Sequence, residues 1–346
     1  MSMKSRLAVV LFNLGGPDSR EAVRPFLLNL FRDPAILRVP FFVRPFLARL
    51  IARRRLRPAQ ENYALLGGKS PLLELTRRQA EALAAALGGE TRCFVAMRYW
   101  HPFAADVARE VAAWRPEEVV LLPLYPQYST TTTGSSLTDW REAAARAGLV
   151  ARTTTLCCWY DDAEFAAATV ALIRPAYAEA AASGAKVRVL FSAHGLPEAI
   201  VKSGDPYQFQ VEQTVASVLA VWDRAVDYAI CYQSRVTPQV WIGPSTEEEI
   251  ARAGRDGVAV VVVPIAFVSD HSETLVELDV EYRDLALRAG VKAYVRAPAA
   301  NDDAAFIAAL AGLARRARAA GPGLCGARRC GGEHSQCPFA LAGTMS

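Results

Sequence analysis

Several classes of protein are excluded by what this chain of 346 residues lacks. No apolar run approaches the roughly 18–20 residues that a membrane-spanning helix needs. No G-x-G-x-x-G pattern follows the first strand-like run and there is no P-loop lysine, so we expect no nucleotide cofactor. The formal net charge is only +4, and neither zinc-finger spacing nor a ladder of basic and aromatic residues occurs, so nucleic acid is not an expected partner.

The first residues have a partial likeness to a signal peptide, because two basic residues precede a short apolar run. That run ends in the turn Asn13–Pro17 rather than in a small-residue cleavage site, which favours a strand that stays in the mature protein. We therefore expect a cytoplasmic protein with reduced thiols. Hydrophobic residues make up 52% of the chain and charged residues 21%, which indicates an ordered, packed protein.

Strand-like apolar runs alternate with Ala-rich helical stretches along the chain. This alternation predicts the α/β class, with parallel sheets covered by helices on both faces. The expected strands are Leu7–Asn13, Arg92–Met97, Val119–Leu124, Val150–Leu156, Val187–Ala193, Tyr228–Gln233, Val258–Ile265 and Lys292–Val295. The helical stretches include Leu72–Leu87, Phe103–Trp114 and Ala163–Ser183.

Eight strands over this length predict two similar Rossmann-like domains, each with a roughly four-stranded parallel sheet flanked by helices. We place the N-terminal domain at residues 1–149 and the C-terminal domain at residues 150–300. Residues 301–346 form a C-terminal helix and a cysteine-rich, metal-binding tail. The last helix, Asp302–Ala319, is a candidate to pack back on the first domain.

Two titratable residues follow buried strands that lie about eighty residues apart. His194 comes directly after Val187–Ala193, and Glu273 follows Val258–Ile265. Because residues just past the carboxyl ends of parallel strands line the ligand crevice, we expect the two side chains to face each other there. Such a pair can take protons from a substrate or hold a metal ion. The alternative for His194 is a histidine that only satisfies backbone groups in a turn.

A row of acidic residues continues from Glu273. Glu273, Glu277 and Glu281 recur every four residues and share one helical face, with no Lys or Arg between them. Since like charges at this spacing repel, the row favours a role in carrying protons or cations, which Asp270 and His271 would join. The alternative is a capping box, with Asp270 as N-cap and Glu273 at the third helical position.

Two other strand ends carry groups suited to a ligand. Arg98–Pro102 offers a cation and aromatic rings, which suit an acidic, planar molecule. Tyr125–Ser129 runs into the four threonines Thr130–Thr133. This hydroxyl-rich loop could bind carboxylates or phosphates, or it could simply form a capped turn into the next helix.

Three of the seven cysteines, Cys325, Cys330 and Cys337, crowd into the tail. Their C-x4-C-x6-C spacing matches neither a zinc finger nor a ferredoxin run, but three thiols in so short a tail predict a metal. His334 as the fourth ligand would give a zinc site. A distant cysteine would give an iron–sulfur cluster, with Cys157-Cys158 as the obvious donor.

Taken together, these motifs resemble the ferrochelatase family, whose members insert ferrous iron into a porphyrin to make haem. The resemblance covers nearly the whole chain. It is carried by the segments Leu14–Pro17, Gly67–Pro71, Arg98-Tyr99, Leu122–Ser129, Ser192–Pro197, Tyr232–Arg235, Trp241–Pro244 and Ser269–Leu275.

The resemblance implies a lyase that inserts Fe²⁺ into protoporphyrin IX in the final step of haem biosynthesis. It implies His194 as the proton acceptor and Glu273 on the opposite side of the porphyrin, with both residues as ligands of the Fe²⁺ substrate. It assigns contacts with the porphyrin to Leu14, Arg98, Tyr99, Tyr125, Gln127, Ser129 and Trp241. A chelatase for coproporphyrin III is the nearest alternative, and a haem or iron–sulfur binding protein without turnover is a more distant one.

Some members of the family carry a [2Fe–2S] cluster held by one internal and three C-terminal cysteines. The resemblance therefore implies Cys325, Cys330 and Cys337 as ligands, with Cys158 favoured over Cys157 as the fourth. No step of the reaction requires the cluster, so its expected role is structural.

Residues 36–57 combine apolar side chains at helical spacing with seven arginines, and no acid occurs between Asp33 and Glu61. This pattern predicts a helix that lies in the interface of an anionic bilayer. The alternative is that the apolar face packs on the second domain. The resemblance places this segment at the lip of the porphyrin cleft. It implies peripheral contact with the inner membrane and with the preceding oxidase of the haem pathway, by a monomer or a homodimer.

Overall fold

The structure is a computed structural model that describes residues 5–234 and 239–343. The chain divides into two compact units. The first comprises Met1–Cys158 and Leu310–Ala327, and the second comprises Trp159–Ala309 and Arg328–Ser346. No helix among the described residues is long and apolar enough to cross a membrane.

The described residues form nine strands. They are β1 (Leu7–Asn13), β2 (Thr91–Met97), β3 (Glu118–Pro123), β4 (Arg152–Leu156), β5 (Val187–His194), β6 (Asp227–Gln233), β7 (Ala259–Pro264), β8 (Tyr294–Arg296) and β9 (Gly323–Cys325). They pair in parallel in two sheets, in the orders β2-β1-β3-β4-β9 and β6-β5-β7-β8. The predicted α/β class with two parallel sheets is confirmed.

Helices connect most of these strands. The α-helices are α1 (Val23–Arg32), α2 (Arg44–Leu65), α3 (Leu72–Leu87), α4 (Ala104–Trp114), α5 (Ser135–Arg146), α6 (Ala163–Ala181), α7 (Glu198–Lys202), α8 (Tyr207–Val221), α9 (Thr246–Asp256), α10 (Tyr282–Ala289), α11 (Ala304–Ala320) and α12 (Pro338–Gly343). Two π-helical segments are present, π1 (Thr130–Gly134) and π2 (Glu273–Glu281). The helical face predicted for Glu273, Glu277 and Glu281 belongs to π2, which is followed directly by α10.

The sheet of the second unit is buried on both faces, because alternate residues of its central strand point to opposite sides. Val189 and Phe191 of β5 lie in a core with buried residues of α6 and α8. Leu190 lies in a second core with residues of α9, π2 and α10. The nearly continuous apolar run of β5 is what such a central parallel strand requires.

The first sheet differs from the sequence prediction at β4 and β9. The predicted division at residue 149 put the strand Val150–Leu156 in the second domain, but β4 pairs with β3 and extends the first sheet to five strands. Val150 itself is 92% exposed and precedes the strand. β9 pairs with β4, and it was not predicted because three residues of a Gly- and Cys-rich tail show no strand pattern.

The topology gathers one end of three neighbouring strands in the second unit. β5 lies between β6 and β7, and all three run in the same direction. The carboxyl ends of β5 at His194, β6 at Gln233 and β7 at Pro264 therefore lie at one edge of the sheet. π2 begins nine residues beyond the end of β7, so ligands are expected to bind at this edge.

Candidate active site

His194 is the last residue of β5, and its orientation leaves one ring nitrogen available. Nδ1 lies within hydrogen-bond distance of the Gly195 carbonyl oxygen, which can only accept. In the neutral imidazole Nδ1 therefore carries the proton, and Nε2 keeps its lone pair. The Tyr207 hydroxyl donates to the carbonyl oxygen of His194 at 3.1 Å, which fixes the backbone beneath the ring. The side chain is 37% exposed, so Nε2 can reach a ligand.

Glu273, the first residue of π2, brings its carboxylate to His194. Oε2 of Glu273 lies 3.7 Å from Nε2 of His194, and the Glu273 side chain is 25% exposed. A macrocycle held between two groups needs about 3.5 Å on each side, or about 7 Å in all. The two side chains are too close for that. In the structure the two groups lie side by side, and their placement on opposite sides of the porphyrin stays a prediction.

The structure also contradicts the capping-box alternative for Glu273. The residue that precedes π2 is Ser272, and its side chain makes no capping hydrogen bond. The carboxylate of Asp270 accepts instead from the Thr274 hydroxyl at 2.9 Å, from Asn301 Nδ2 at 2.8 Å and from Arg296 Nη1 at 3.1 Å. Glu273 accepts from the Ser234 hydroxyl at 3.1 Å. Neither carboxylate serves as a helix cap.

Glu277 is held by donors of two neighbouring elements. Its Oε1 accepts from the Ser234 backbone N–H and from the Tyr282 hydroxyl, both at 2.9 Å. Its Oε2 accepts from the Ser234 hydroxyl and, at 3.4 Å, from Gln233 Nε2. Burial, reinforced by the charge of Glu273, raises the pKa of Glu277 from 4.5 to about 7. Glu277 is therefore poised to exchange a proton near neutral pH.

Ser234 connects the two carboxylates. Its single hydroxyl lies within hydrogen-bond distance of Oε2 of Glu273 and Oε2 of Glu277, yet it has only one proton to donate. Both contacts can be hydrogen bonds when one of the two carboxyl groups is protonated, which agrees with the raised pKa of Glu277. Ser234 has a φ of 63°, in the left-handed region that is unfavourable for a residue with a side chain. Such backbone strain concentrates at functional sites.

The other members of the predicted relay lie at either end of these carboxylates. The ring of His271 is buried against Phe267, its Nδ1 lies 3.1 Å from the Ser269 carbonyl oxygen, and burial lowers its pKa, so it is neutral. Glu281 is exposed at the far end of π2. The row of Glu273, Glu277 and Glu281 thus extends from the site to solvent. Arg235, part of the recognised motif after β6, lies outside the described residues.

In the first unit, Arg98 and Tyr99 belong to a buried polar cluster around Asp33. The Asp33 carboxylate accepts from the Tyr99 hydroxyl at 2.9 Å, from Arg98 Nη2 at 2.8 Å and from the Ser135 hydroxyl. Tyr99 is fully buried, and burial together with the charge of Asp33 raises its pKa. The Tyr99 side chain therefore lies in the interior of the first unit. The Arg98 side chain keeps partial exposure, and its Nη1 lies 3.6 Å from Oδ2 of Asp139.

The remaining predicted contacts of the first unit are mostly buried. Gln127 and Ser129 are almost fully buried, and the Ser129 hydroxyl accepts from the backbone N–H of Thr131 at the start of π1. Ser129 thus forms the capped turn that was the alternative for this loop. Burial raises the pKa of Tyr125, so its hydroxyl stays protonated. Leu14 is half-buried against α1 and α2.

Trp241 belongs to the second unit and lies in the same edge region as His194. It is half-buried, and its backbone forms an antiparallel bridge with Pro197, three residues beyond His194. The backbone N–H of the next residue, Ile242, donates to the Leu196 carbonyl oxygen at 3.0 Å. Trp241 is therefore held to the loop that follows the candidate base.

Two pairs of cysteines lie close together, one pair in each unit. Sγ of Cys157 is 3.3 Å from Sγ of Cys158 in the first unit, and burial, with a contribution from Cys157, raises the pKa of Cys325. In the second unit a hydrogen bond from Cys330 lowers the pKa of Cys337 to about 6. Among residues 5–234 and 239–343, no group of three or more His, Cys, Asp or Glu side chains is arranged to hold a metal ion.

Sequence reasoning missed Ser234, Tyr282, Asp33 and Arg296. Ser234 lies within the segment Tyr232–Arg235 that carries the resemblance, but no role was assigned to it, and Asp33 has no signal beyond its place before a stretch without acids. Tyr282 and Arg296 lie in a helix and a strand, where a sequence predicts packing rather than contacts with particular carboxylates. Their roles come from tertiary contacts.

Comparison with known proteins identifies the family. The model of the family described as "Ferrochelatase" matches residues 6–318. A ferrochelatase of Caulobacter vibrioides is 51% identical, with 97% of this chain and 98% of the relative covered. A ferrochelatase of Phenylobacterium zucineum is also 51% identical, with 98% and 99% covered.

Two solved structures share the fold. SirB from Bacillus subtilis with Fe³⁺ superposes with a TM-score of 0.54 at 13% identity, over 90% of this chain and 95% of that one. The sirohydrochlorin chelatase SirB from Bacillus subtilis subspecies spizizenii in complex with cobalt gives 0.52 at 11% identity over the same shares. At this identity the likeness concerns the fold alone, and the family rests on the closer relatives. On this evidence the chain belongs to the ferrochelatase family and is a metal chelatase, a lyase of haem biosynthesis.

Proposed function

We propose that the chain inserts Fe²⁺ into protoporphyrin IX, forming protohaem and releasing two protons. The observation that carries the proposal is the pair of His194 Nε2 and Glu273 Oε2, 3.7 Å apart and both partly exposed at the carboxyl edge of the second sheet. Two pyrrole N–H protons must leave as the metal enters, so a base is needed over the macrocycle. Nε2 of His194, which keeps its lone pair when Nδ1 carries the proton, meets that need.

A proton accepted by His194 has a defined route away from the ring. The nearby carboxylate of Glu273 stabilises the imidazolium as it forms. The Ser234 hydroxyl contacts both Glu273 and Glu277, whose pKa of about 7 allows it to accept a proton and release it in turn. Glu281, at the exposed end of π2, would pass the proton to solvent. His194 and Glu273 would also meet the incoming Fe²⁺, which is a substrate.

The same residues would favour a bent macrocycle. A flat porphyrin keeps its nitrogen lone pairs in the ring plane, whereas a bent one turns them toward an arriving ion. A cleft that fits the bent form stabilises the transition state more than the flat substrate, which is the requirement for catalysis. Arg98 and Trp241, each with partial exposure, remain the proposed contacts for the propionates and the ring.

Coproporphyrin III is the competing substrate, because its insertion chemistry is identical. Its two additional propionates would need further cationic partners, since carboxylates bind best to charged hydrogen-bond donors. Supplying Fe²⁺ anaerobically with each porphyrin, and following metalloporphyrin absorbance, separates the two. Faster turnover of coproporphyrin would contradict the proposal.

Replacing His194 with Ala should reduce turnover about 100-fold or more, because a positioned base contributes at least that factor. Thermal stability should change little, since the ring is 37% exposed. Glu273→Gln should also lower turnover without loss of stability, because it relieves repulsion with Glu277. Tyr228→Ala, at an aromatic residue 46% exposed near the start of β6 and so at the opposite end of that strand from the site, is the control. Wild-type turnover by the His194 variant would contradict the assignment.

Glu277 should make stability depend on pH. Its raised pKa means that between pH 4.5 and about 7 the folded protein retains a proton that the unfolded chain has lost. The stability that protonated Glu277 gives the folded state is fully present below pH 4.5 and is lost as the pH rises towards 7. Glu277→Gln removes this loss, so its free energy of unfolding relative to wild type should increase across the window by up to roughly 3 kcal/mol. Denaturant titrations at several pH values measure the slope.

Glu281→Gln provides the control for that experiment, because the exposed Glu281 should leave the slope unchanged. Identical pH slopes for the Glu277→Gln variant and wild type would contradict a raised pKa at Glu277.

We propose further that the chain holds a structural [2Fe–2S] cluster through Cys325, Cys330, Cys337 and one of Cys157 and Cys158. Four thiolates are the donor set that such a cluster takes. Cys330 and Cys337 lie within hydrogen-bond distance of each other, which brings two of the proposed ligands together. The zinc alternative is less favoured, since the ring of His334 packs on Phe209 with 4.9 Å between centroids.

The purified protein should be reddish-brown and contain iron and sulfide in equal amounts. The Cys325→Ser variant should lose this colour. Its melting temperature should also fall, because the free energy of metal binding is part of the folding free energy. Cys157→Ser and Cys158→Ser, compared side by side, should identify the internal ligand. Cys93→Ser, at a half-buried cysteine of β2, is the control. Colourless protein with one zinc per chain, purified anaerobically with iron present, would contradict the cluster.

We propose that residues 36–57 dock the enzyme on the inner membrane, the source of its poorly soluble substrate and the site of the preceding oxidase. Phe41, Phe42 and Phe46 are 79%, 63% and 72% exposed, and Leu50 is 45% exposed. Ile51 packs against the core of the first unit, so it does not belong to the exposed apolar face of this segment. Exposed arginines, including Arg49, Arg53, Arg54 and Arg57, lie in the same stretch.

Each arginine near an anionic surface contributes about 1 kcal/mol, so binding should weaken with salt. The double variant Phe42→Asp with Leu50→Asp should lose co-sedimentation with anionic liposomes while keeping activity in detergent. Val150→Asp, at an apolar residue 92% exposed outside this segment, is the matched control. Unchanged liposome binding by the double variant would show that this segment is not the contact.

A further inference from the structure

We propose that Arg296 is a positioning residue that fixes both ends of π2 and thereby holds Glu273 and Glu277 in the geometry needed for turnover. The proposal rests on the roles given above to those two carboxylates. Arg296 is the last residue of β8, at the edge of the second sheet. Its side chain is only 10% exposed, so it offers little surface to a ligand.

The guanidinium of Arg296 contacts both ends of π2. Its Nε and Nη2 donate to the two carboxylate oxygens of Asp279 at 2.7 and 2.8 Å, a bidentate pair near the end of π2. Its Nη1 donates to Oδ1 of Asp270 at 3.1 Å, three residues before π2 begins. One rigid planar group therefore sets the distance between the two ends of the segment. A lysine, with a single charged atom, could not reproduce this geometry.

Asp270 is fixed from two further directions. Asn301 donates from Nδ2 to Oδ2 of Asp270 at 2.8 Å and accepts through Oδ1 from the backbone N–H of Asp270 at 2.9 Å. The hydroxyl of Thr274, inside π2, donates to Oδ1 of Asp270 at 2.9 Å. Asn301 takes a φ of 46°, which its short polar side chain tolerates. The start of π2 is thus tied to β8 and to the loop that follows it.

π2 needs such support for two reasons. A π-helix is a rare geometry that a sequence without tertiary contacts does not maintain. The segment is also strongly acidic, because Asp270, Glu273, Glu277, Asp279 and Glu281 occur with no Lys or Arg from Asp270 to Tyr282. Arg296 neutralises the two aspartates that it contacts, and the two glutamates stay at the site for protons and metal.

Two variants test the proposal. Arg296→Met and Asp279→Asn should each lower kcat about 10- to 100-fold, because a shift of about 1 Å in a reacting group can cost that much. The KM for the porphyrin should stay within about twofold of wild type, since neither residue is a proposed porphyrin contact. The double variant should be no worse than the more impaired single variant, as expected of residues that act through one interaction. Asp279→Asn keeps the size of the side chain, so it tests the pair even where Arg296→Met folds poorly.

Arg188 provides a matched control in the same sheet. It is also a buried arginine between two carboxylates, donating to Asp227 at 2.9 Å and to Asp256 at 2.7 Å. It lies at the opposite end of β5 from His194. Arg188→Met should therefore lower the melting temperature much as Arg296→Met does, while its kcat, measured where both variants are folded, stays within about twofold of wild type.

Three results would decide the matter. Loss of kcat in the Arg296 and Asp279 variants, with the Arg188 variant active, supports the positioning role. Equal loss in the Arg188 variant, or wild-type kcat in the Arg296 variant beside an inactive Glu273→Gln enzyme, overturns it and leaves the proposed function intact. A fully active Glu273→Gln enzyme overturns the roles given to π2 and the positioning role with them.

Discussion

The pairing of β5 between β6 and β7 is the constraint on which the candidate site depends. Because the three strands are parallel neighbours, the sheet fixes the places of His194, Ser234 and the chain that leads to π2. The cores on both faces of β5 hold that register, since a slip of one residue would move Phe191 out of the core that it shares with α6 and α8. The proton chemistry therefore rests on ordinary hydrophobic packing several residues away from it.

The acidic side chains in and around π2 have different partners, and this difference has a chemical consequence. The aspartates around π2 are paired with an arginine, whereas the contacts of Glu273 and Glu277 among residues 5–234 and 239–343 are with hydroxyls, an N–H, an amide and one imidazole. Neutral donors leave a carboxylate able to change its protonation state, and an arginine would hold it charged. Burial of Glu277 then moves its pKa towards the working pH. Acids that pair with arginine support the structure, and acids held by neutral donors remain available for the reaction.

The sequence could predict the features of the fold and the site that depend on local patterns, but not those that depend on contacts between distant parts of the chain. The strands, and the places of His194 and Glu273 after them, were predictable because apolar runs and their ends are local features. The distance between the two side chains was not, since a place at a sheet edge does not say on which side of a ligand a group stands. The π-helical geometry escaped because a spacing of four residues also fits an α-helix. Ser234 and Asp33 depend on contacts with distant parts of the chain.

The pairing of β9 with β4 has a consequence for synthesis on the ribosome. Leu156 of β4 has Cys325 as its partner, so 169 residues must be translated before that edge of the first sheet can close. At typical elongation rates this takes roughly 10 to 30 seconds. During that interval the nascent first unit exposes an unpaired strand edge, which is a template for association with other chains. The time window in which a chaperone would be most useful is therefore set by the order of elements along the gene.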